Sequence, residues 1–444
     1  MKLRTIALVI CAALSASIAR AQGTNTPGSG HPPAASQAGR ALTLAQAEAT
    51  ALKNNPQITI AKLRALTSQQ YVRETRSALL PQASVNLTGV DADPGSRISA
   101  GFLNNPSLYS RAATGATVTQ LITDFGRTSN LLSSSEYQAK AEDQNAVATT
   151  AQIILAVDQA FYNTLETKAL VTVAKHTVDT RQLLVDKIKA LTDAKLKSDL
   201  DLSFTKVDLA RGNLLLLEAQ NNFETSLAVL SAILGYPDEQ NFELVEENVT
   251  SQPPAPDVNS LITRALQQRP EVAALQDQVE AAQKFGNAEH DLWRPTVNAL
   301  GAVGLAPVRD DHVSNWYGAV GVNINIPLFN GFLYNARAKA ADLQTEANRQ
   351  KLMDLRNNIA RDVRTSWQGT NRAFERLSVT KQLEEQASLA FDLAQARYNL
   401  GLGSIVEFSQ ADLQKTEADI ADTDAKYQYR LTQIVLAYTI AAPK

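Results

Sequence analysis

The chain of 444 residues has one cysteine, Cys11, and four histidines. A single cysteine cannot form a disulfide within the chain, and the histidines are too far apart in sequence for a His-x-x-x-His metal site. The 42 Lys and Arg residues against 45 Asp and Glu give a formal charge of -3, which gives no reason to expect a nucleic-acid partner. The sequence therefore argues against a metalloenzyme, a cysteine-dependent enzyme and a nucleic-acid partner, and no cofactor is expected.

Proline and glycine are absent from two long parts of the chain. No proline occurs between residues 106 and 237 or between 327 and 443, and Gly212 is the only glycine from 127 to 234. Such spans, rich in Ala, Leu, Gln, Glu and Lys, favour long helices. One helix over residues 127–191 would measure about 100 Å, so we expect an elongated helical protein.

Apolar residues recur every seven positions in the later part of the first proline-free span. They are Leu209, Leu216, Phe223 and Leu230, with Leu227 and Leu234 at the complementary heptad position. This pattern is typical of a coiled-coil seam. The chain is expected to reverse near residues 195–198 and again near 401–404, where Gly401 and Gly403 permit a tight turn.

The N-terminus has the features of a secretory signal peptide. Lys2 and Arg4 precede an apolar run over residues 6–18, which ends at the small-residue site Ala19-Arg20-Ala21. The run is shorter than the roughly 20 residues that a membrane-spanning helix needs. We therefore expect an exported protein from which this segment, including Cys11, is removed.

An internal repeat organises the rest of the chain. A shift of 214 residues aligns 51–56 with 265–270, and further along a shift of 206 aligns Ser198 with Ser404. The first copy thus holds eight additional residues, which we place in the loop over 91–110. The expected segments are a signal peptide (1–21), a flexible arm (22–41), a first repeat (42–235), a linker (236–257) and a second repeat (258–441).

Each copy also contains segments in which apolar and polar residues alternate. In the second copy the apolar positions run from Trp316 through Val320, Val322 and Ile324 to Ile326, and in the first copy they include Val85 and Leu87. A period of two is typical of β-strands. Segments of about ten such residues fit transmembrane strands, although a soluble hairpin with one wet face has the same pattern. Export and the long helices favour the membrane interpretation.

The number of strands predicts an oligomer. Two hairpins give four strands per chain, whereas closed membrane barrels begin at about eight strands. Open strand edges cannot lie in lipid, because their backbone groups have no partners there. Several chains would therefore share one barrel.

Together these features resemble the outer-membrane efflux proteins, the TolC-like channel-tunnels. The resemblance extends from about Leu42 to Ala441 and includes the strand-to-helix transition over 326–331 and the reversal Tyr398-Asn399-Leu400-Gly401-Leu402-Gly403-Ser404. It implies a mainly α fold with a membrane β-barrel contribution. In such a homotrimer, long α-helical hairpins form a periplasmic tunnel, and four strands per chain make a 12-stranded barrel in outer-membrane lipid. It also implies a passive exit duct joined by a periplasmic adapter to an inner-membrane pump.

The resemblance implies two sets of site residues. Leu400, Gly401 and Leu402 at the second reversal match a motif that contacts the adapter, and Leu196 and Lys195 occupy the corresponding place in the first copy. We expect the second reversal to dominate docking, because only the leucine is kept in the first.

The second set would form a gate at the periplasmic end. Glu407 falls on the first of two acidic positions that line a constriction and bind cations, whereas Gln410 falls on the second. Asp201 is the first-copy counterpart of Glu407, and Tyr398 falls on a tyrosine that helps to hold the tunnel closed. The basic partner in that network falls on Gly403, which predicts a weaker latch.

Other functions explain less of the sequence. A soluble periplasmic coiled-coil adapter or scaffold would account for the helices but not for the paired alternating segments. A hydrolase is less well supported still, since no nucleophile-base pairing stands out. Asp124-Phe125-Gly126 lacks the other kinase motifs and is interpreted as a strand-to-helix corner. Asp310-Asp311-His312 is interpreted as a solvated loop rather than a cation site.

Overall fold

The computed structural model describes residues 40–91, 97–100, 103–107, 111–246, 253–306 and 314–442. The predicted signal peptide, residues 22–39 of the arm and Asp310-Asp311-His312 lie outside the described residues. Residues from Ala41 onward form one compact unit, to which the following description applies.

Eight α-helices account for most of this unit's described residues. They are α1 (Leu44–Asn54), α2 (Pro56–Ser77), α3 (Arg127–Asp193), α4 (Asp199–Ile233), α5 (Val258–Gln268), α6 (Pro270–His290), α7 (Leu333–Asn399) and α8 (Ile405–Thr439). Within the described ranges, none of these helices combines the length and the apolar character needed to cross a membrane.

The strands are short by comparison and form three sheets. They are β1 (Arg40–Leu42), β2 (Gln82–Val90), β3 (Arg97–Ala100), β4 (Leu103–Ser107), β5 (Arg111–Thr123), β6 (Phe242–Leu244), β7 (Thr296–Leu305) and β8 (Trp316–Asn325). The strand orders are β1-β6, β3-β4 and β2-β5-β7-β8. The β1-β6 and β3-β4 pairs were not predicted from the sequence.

The helices confirm the internal duplication. Both α3 and α7 have 67 residues, and both α4 and α8 have 35. Corresponding helices begin 206 residues apart, which is the shift found in the sequence. Each 67-residue helix spans about 100 Å, so the two long α-helical hairpins α3-α4 and α7-α8 have the expected length.

Local chemistry fixes where the short helices begin. At α1, Thr43 and Gln46 form a reciprocal capping box, in which each side chain accepts the other residue's backbone N–H. At α2, the Asn55 side chain accepts the Gln57 N–H at 2.9 Å, and Pro56 occupies the first helical position.

Small residues form the buried seam of α4, which corrects the predicted heptad. Leu227, Leu230 and Leu234 are buried as expected, but Leu209, Leu216 and Phe223 are only partly buried. The fully buried positions at seven-residue spacing are instead Thr205, Gly212, Ala219 and Ser226. In α8 the equivalent stripe is Ala411, Ala418 and Ala425. Small side chains at the contact allow the helix backbones to approach closely, while larger ones sit at the rim.

Two matching hydrophobic clusters lie away from the chain reversals. The first contains Val157, Phe161 and Leu230, and the second contains Val363 and Leu436, which are the counterparts of Val157 and Leu230. A pair of equivalent hydrogen bonds supports this repeat. The Thr164 hydroxyl donates to the Ser226 carbonyl at 3.3 Å, and the Thr370 hydroxyl donates to the Thr432 carbonyl at 3.1 Å.

The four-stranded sheet is antiparallel throughout, and its register places apolar residues on one face. Val85 pairs with Ala116, Ala116 with Val303, and Val303 with Gly318. Neighbouring rows on this face include Leu87, Val118, Leu305, Trp316, Val320, Val322 and Ile324. Paired residues share a face, so the alternation predicted for single strands extends across the sheet.

The apolar face of the sheet is exposed. Val320 is 93% exposed and Leu87 is 81% exposed. A packed core would bury such side chains. The described residues of a single chain leave this face uncovered.

The opposite face carries small and polar residues. The hydroxyls of Ser84 and Thr117 lie 2.9 Å apart. The Tyr317 ring lies across Gly304 and Gly115, where a side chain at either glycine would collide with it. Tyr317 therefore packs on the sheet, although both it and Trp316, which is on the apolar face, remain exposed.

A carboxyl pair joins the two hairpins away from the reversals. Glu166 of α3 is buried and hydrogen-bonded to Asp424 of α8, which also binds Arg376 at 2.7 Å. Burial raises the pKa of Glu166 to about 7, with further contributions from the hydrogen bond and from the charge of Asp424. A hydrogen bond from Gln428 acts in the opposite direction.

This pair predicts a pH-dependent stability. The pKa of Glu166 is raised in the folded protein, so its contribution is fully present below about pH 4.5 and is lost as pH rises through about 7. We expect Glu166→Gln to raise the thermal midpoint at pH 8 by a few degrees, corresponding to roughly 1–3 kcal/mol. The thermal midpoint should also depend less on pH between about 4.5 and 7. Scanning calorimetry tests this, with Glu218→Gln on the exposed face of α4 as control; a wild-type profile in Glu166→Gln would contradict it.

Candidate functional site: the two helical reversals

The two reversals lie where the sequence predicted them. The first tip, residues 194–198, connects α3 to α4, and the second tip, residues 400–404, connects α7 to α8. The Leu196 N–H donates to the Leu191 carbonyl, and the Leu402 N–H donates to the Arg397 carbonyl, each at 2.8 Å. A hydrogen bond from an N–H to the carbonyl five residues earlier is characteristic of the Schellman motif at the end of a helix.

A serine begins the second helix of each hairpin. The Ser198 hydroxyl accepts the Asp201 N–H, and the Ser404 hydroxyl accepts the Glu407 N–H, each at 3.1 Å. These caps satisfy otherwise unpaired N–H groups. Asp201 and Glu407, two of the predicted gate residues, are therefore in the first turn of α4 and α8.

The tips differ at the residue that reverses the chain. Lys195 and Gly401 both have left-handed backbone conformations, with φ of 63° and 74°. Glycine adopts this conformation without strain, whereas a residue with a Cβ is strained there by about 1 kcal/mol. The first tip is therefore the more strained of the two.

The residues predicted to contact an adapter are on the surface. Leu196, Leu400 and Leu402 are 71%, 74% and 68% exposed, and Lys195 and Gly401 are also exposed. Three large apolar side chains at the ends of two helical hairpins form an exposed apolar surface. Such surfaces often mark sites of protein interaction.

Tyr398 is buried between the hairpins. It is 3% exposed and stacks on Phe408 with ring centroids 5.8 Å apart. Lys197 of the first tip lies 4.0 Å above the Tyr398 ring, a cation-π distance. Burial raises the pKa of Tyr398 to about 12, and the nearby charge of Asp201 adds to the shift. The structure thus brings Tyr398 and Asp201 together, across the two hairpins.

Glu407 has a partner that sequence reasoning missed. Its carboxylate lies 3.0 Å from the guanidinium of Arg397, on the other side of the second tip, and both side chains are about half exposed. Gly403 lies against the same carboxylate. Gln410 is exposed on α8, one turn beyond Glu407. Arg397 and Glu407 are separated by the turn itself, so only the turn geometry reveals the pair.

A buried ion pair connects the hairpins beyond the tips. Arg181 of α3 donates to the Asp412 carboxylate of α8 at 2.8 Å and to the Asp208 carbonyl of α4 at 2.9 Å. Burial raises the pKa of Asp412, and Arg181 opposes that shift. One guanidinium therefore ties three helices together.

One sequence signal points to Arg181. Gly212, the only glycine between residues 127 and 234, packs against it, and a Cβ at that position would lie 3.4 Å from the Arg181 Cδ. The repeat gave no such signal, because the counterparts of Arg181 and Asp412 are Ala387 and Lys206. Among the described residues, no cluster of His, Cys, Asp and Glu is arranged to hold a metal ion.

Comparison with known proteins identifies similar chains. The model of the outer membrane efflux protein family matches residues 49–236 and 261–441. The outer membrane protein TolC of Vibrio cholerae is 24% identical over 420 residues, covering 90% of this chain and 91% of that protein. TolC of Escherichia coli is 22% identical over 414 residues, covering 89% and 81%.

Solved structures share the fold. The outer-membrane channel OprN aligns with a TM-score of 0.79 at 16% identity, covering 90% of each chain. CusC aligns with a TM-score of 0.78 at 17% identity, covering 89% of this chain and 91% of that one. VceC of Vibrio cholerae aligns with a TM-score of 0.76 at 17% identity, covering 89% and 95%.

The strain at the first tip can be measured. We expect Lys195→Gly to stabilise the first tip by about 1 kcal/mol, because glycine adopts the left-handed conformation freely. Gly401→Ala should destabilise the second tip by a similar amount. Amide hydrogen exchange at Leu196 and Leu402 would measure the two effects; changes of the same sign in both variants would refute the explanation.

The buried ion pair should make a large contribution when only one partner is removed. We expect Arg181→Met to lower the free energy of unfolding by about 3–5 kcal/mol, because it leaves Asp412 buried without its cation. Arg181→Met combined with Asp412→Leu should recover most of that loss. Arg349→Met, which breaks the exposed pair with Glu346, should have little effect, because water screens that pair. Urea unfolding of these proteins and of the single variant Asp412→Leu tests the pair; additive losses in the double variant would disprove the coupling.

Proposed function

Because the chain belongs to the outer membrane efflux protein family, we propose that it is a homotrimeric channel-tunnel. It would serve as the passive exit duct of a tripartite efflux or type I secretion system. Its sheet would lie in the outer membrane, and its helical hairpins would form a tunnel in the periplasm. A family of ducts gives no indication of catalysis.

The four-stranded sheet is the observation that supports this proposal most strongly. Among the described strands, β2 pairs only with β5 and β8 pairs only with β7, so each has an open edge. Backbone groups at such edges require partners in lipid. If β8 of one copy pairs with β2 of the next, the edges disappear and the exposed apolar face meets lipid. Three copies give the 12 strands expected from the resemblance.

The soluble scaffold explains fewer observations. It would leave both edges and the apolar face of the sheet in water, which favours aggregation. The duct also provides a role for the tips, which are the ends of the longest helices. We accordingly propose that residues 42–235 and 258–441 are the two repeats, joined by 236–257, after a signal peptide (1–21) and an arm (22–41).

The tips are proposed to meet a periplasmic adapter that connects the duct to an inner-membrane pump. The exposed leucines Leu196, Leu400 and Leu402 suit an apolar contact with the adapter's helices. The second tip, with Gly401, would dock more closely than the first, where Lys195 carries a charge.

The ion pair between Arg397 and Glu407 modifies the gate proposal. Tyr398 and Asp201 are proposed to hold the hairpins together on the closed side. Glu407 would contribute to a ring of three carboxylates around the axis, but its pairing with Arg397 weakens the negative field. Gln410 adds no charge to this ring.

Substitutions on the two faces of β8 test the membrane sheet. We expect Val320→Arg, on the apolar face, to reduce the trimer recovered from outer-membrane fractions severely, because a charge facing lipid costs about 2–4 kcal/mol near the bilayer centre. Asn323→Arg, on the opposite face of the same strand, should assemble. Heat-modifiable migration and light scattering in detergent measure the trimer; equal assembly of both variants would argue against a lipid-facing sheet.

Substitutions at equivalent tip positions test adapter docking. A lysine already adopts the left-handed conformation at the equivalent position of the first tip, Lys195. Gly401→Lys should therefore preserve the second turn while adding bulk and charge. We expect it to reduce co-purification of the adapter at least tenfold with trimers intact. Lys195→Gly should leave recovery unchanged or improved. Undiminished recovery with Gly401→Lys would exclude the second tip as the main contact.

A further inference from the structure

A cavity lies between the two hairpins just behind the tips. Its volume is about 180 Å³, and its lining comes from α3, α7 and α8. The residues used below are Leu184 and Lys187 of α3, Tyr398 and Asn399 of α7, and Phe408 of α8. A molecule inside it would therefore contact both hairpins.

The Tyr398 hydroxyl provides a donor without an acceptor. Tyr398 is 97% buried, and among the described residues its hydroxyl has no hydrogen-bond partner. Its raised pKa keeps it protonated at neutral pH. A buried hydroxyl without a partner is unfavourable, so an acceptor placed in the cavity would satisfy it.

The charges around the cavity favour an anion. The Lys187 ammonium donates to the Asn399 side-chain oxygen at 2.9 Å, which leaves the Asn399 amide N–H groups as further donors. Arg181 also lines the cavity, and its charge is balanced by Asp412 at 2.8 Å. The lining therefore carries one excess positive charge, that of Lys187.

Two charges outside the lining also act on Tyr398. The negative charge of Asp201 is near its hydroxyl, and the ammonium of Lys197 lies 4.0 Å above its ring. These two charges oppose each other, so the excess positive charge of Lys187 remains.

Part of the remaining wall is apolar, beside the polar side chains of Thr180 and Gln395. Leu184 and Phe408 belong to the hydrophobic cluster of the tips, so they present carbon surface beside the polar groups. An apolar cavity of about 150 Å³ accommodates a benzene ring. The volume here thus suits one ring or a short aliphatic chain carrying one small polar group.

From this arrangement we propose that the cavity binds a small organic carboxylate. The carboxylate accepts hydrogen bonds from Tyr398 and Lys187, and the apolar body packs against Leu184 and Phe408. Such a ligand bridges α3 to α7 and α8, so it stabilises contact between the hairpins.

Binding can be measured directly on the detergent-purified chain, independently of any transport. The probe is 4-fluorobenzoate, followed by fluorine-19 NMR line broadening. We expect saturable binding, and at least tenfold weaker binding of uncharged 4-fluorobenzamide. Tyr398→Phe and Lys187→Gln should each weaken binding about tenfold, since each removes a hydrogen bond to a charged group. Lys189→Gln makes the same charge change on α3 outside the cavity and should bind as wild type does.

Three results would overturn the proposal. They are no saturable binding to the wild-type chain, equal binding of the benzoate and the benzamide, and unchanged binding in the Lys187→Gln variant. Lys187 is exposed, so its substitution does not threaten the fold, and its result stands even if Tyr398→Phe alters the tip. Failure of this site would leave the trimer and adapter experiments unaffected.

Discussion

The constraint on which the rest of the structure depends is that the described residues of one chain leave the four-stranded sheet without partners at its edges and without cover on its apolar face. Its outer strands, β2 and β8, have open edges among the described residues, and its apolar face is exposed. An antiparallel sheet with these properties needs both backbone partners and an apolar environment. The proposed repetition of the chain around an axis in a membrane would supply both. Both strand-to-helix corners have two successive residues with positive φ, at 125–126 and 331–332. Residues near both tips share one hydrophobic cluster, so the two long hairpins extend in a common direction.

The duplication provides the scaffold, and its departures from symmetry mark the candidate sites. The long helices match in length to the residue, and their capping serines correspond. Lys195 and Gly401 differ, as do Arg181 and its counterpart Ala387. A structural role shared by both copies would favour the same residue in each. Differences that are costly, such as a strained lysine and a buried ion pair, therefore point to distinct tasks for the two hairpins.

Local patterns in the sequence predicted the helices, the reversals and the alternating strands, because each depends on neighbouring residues. The repeat shift also predicted which helices would match. The pattern failed for the earlier part of α4, where leucines at heptad positions indicated the seam but Gly212 and Ala219 are buried instead. Which face of a helix is buried depends on the neighbouring helix. The Arg181-Asp412 pair was missed because its charges are distant in sequence and meet only after the hairpins fold. The Arg397-Glu407 pair was missed because it depends on the geometry of the turn.

Residues near the tips also hold the two hairpins together. Residues from both hairpins share one hydrophobic cluster there, including Ile188, Tyr398 and Phe408. Lys197 above the Tyr398 ring and Lys187 at Asn399 add polar contacts between the hairpins. Any movement of α7 and α8 relative to α3 must break these contacts together, since they involve adjacent residues of the same helix end. A partner that bound the exposed leucines would therefore act within one helical turn of Tyr398 and would affect how Tyr398 packs between the hairpins.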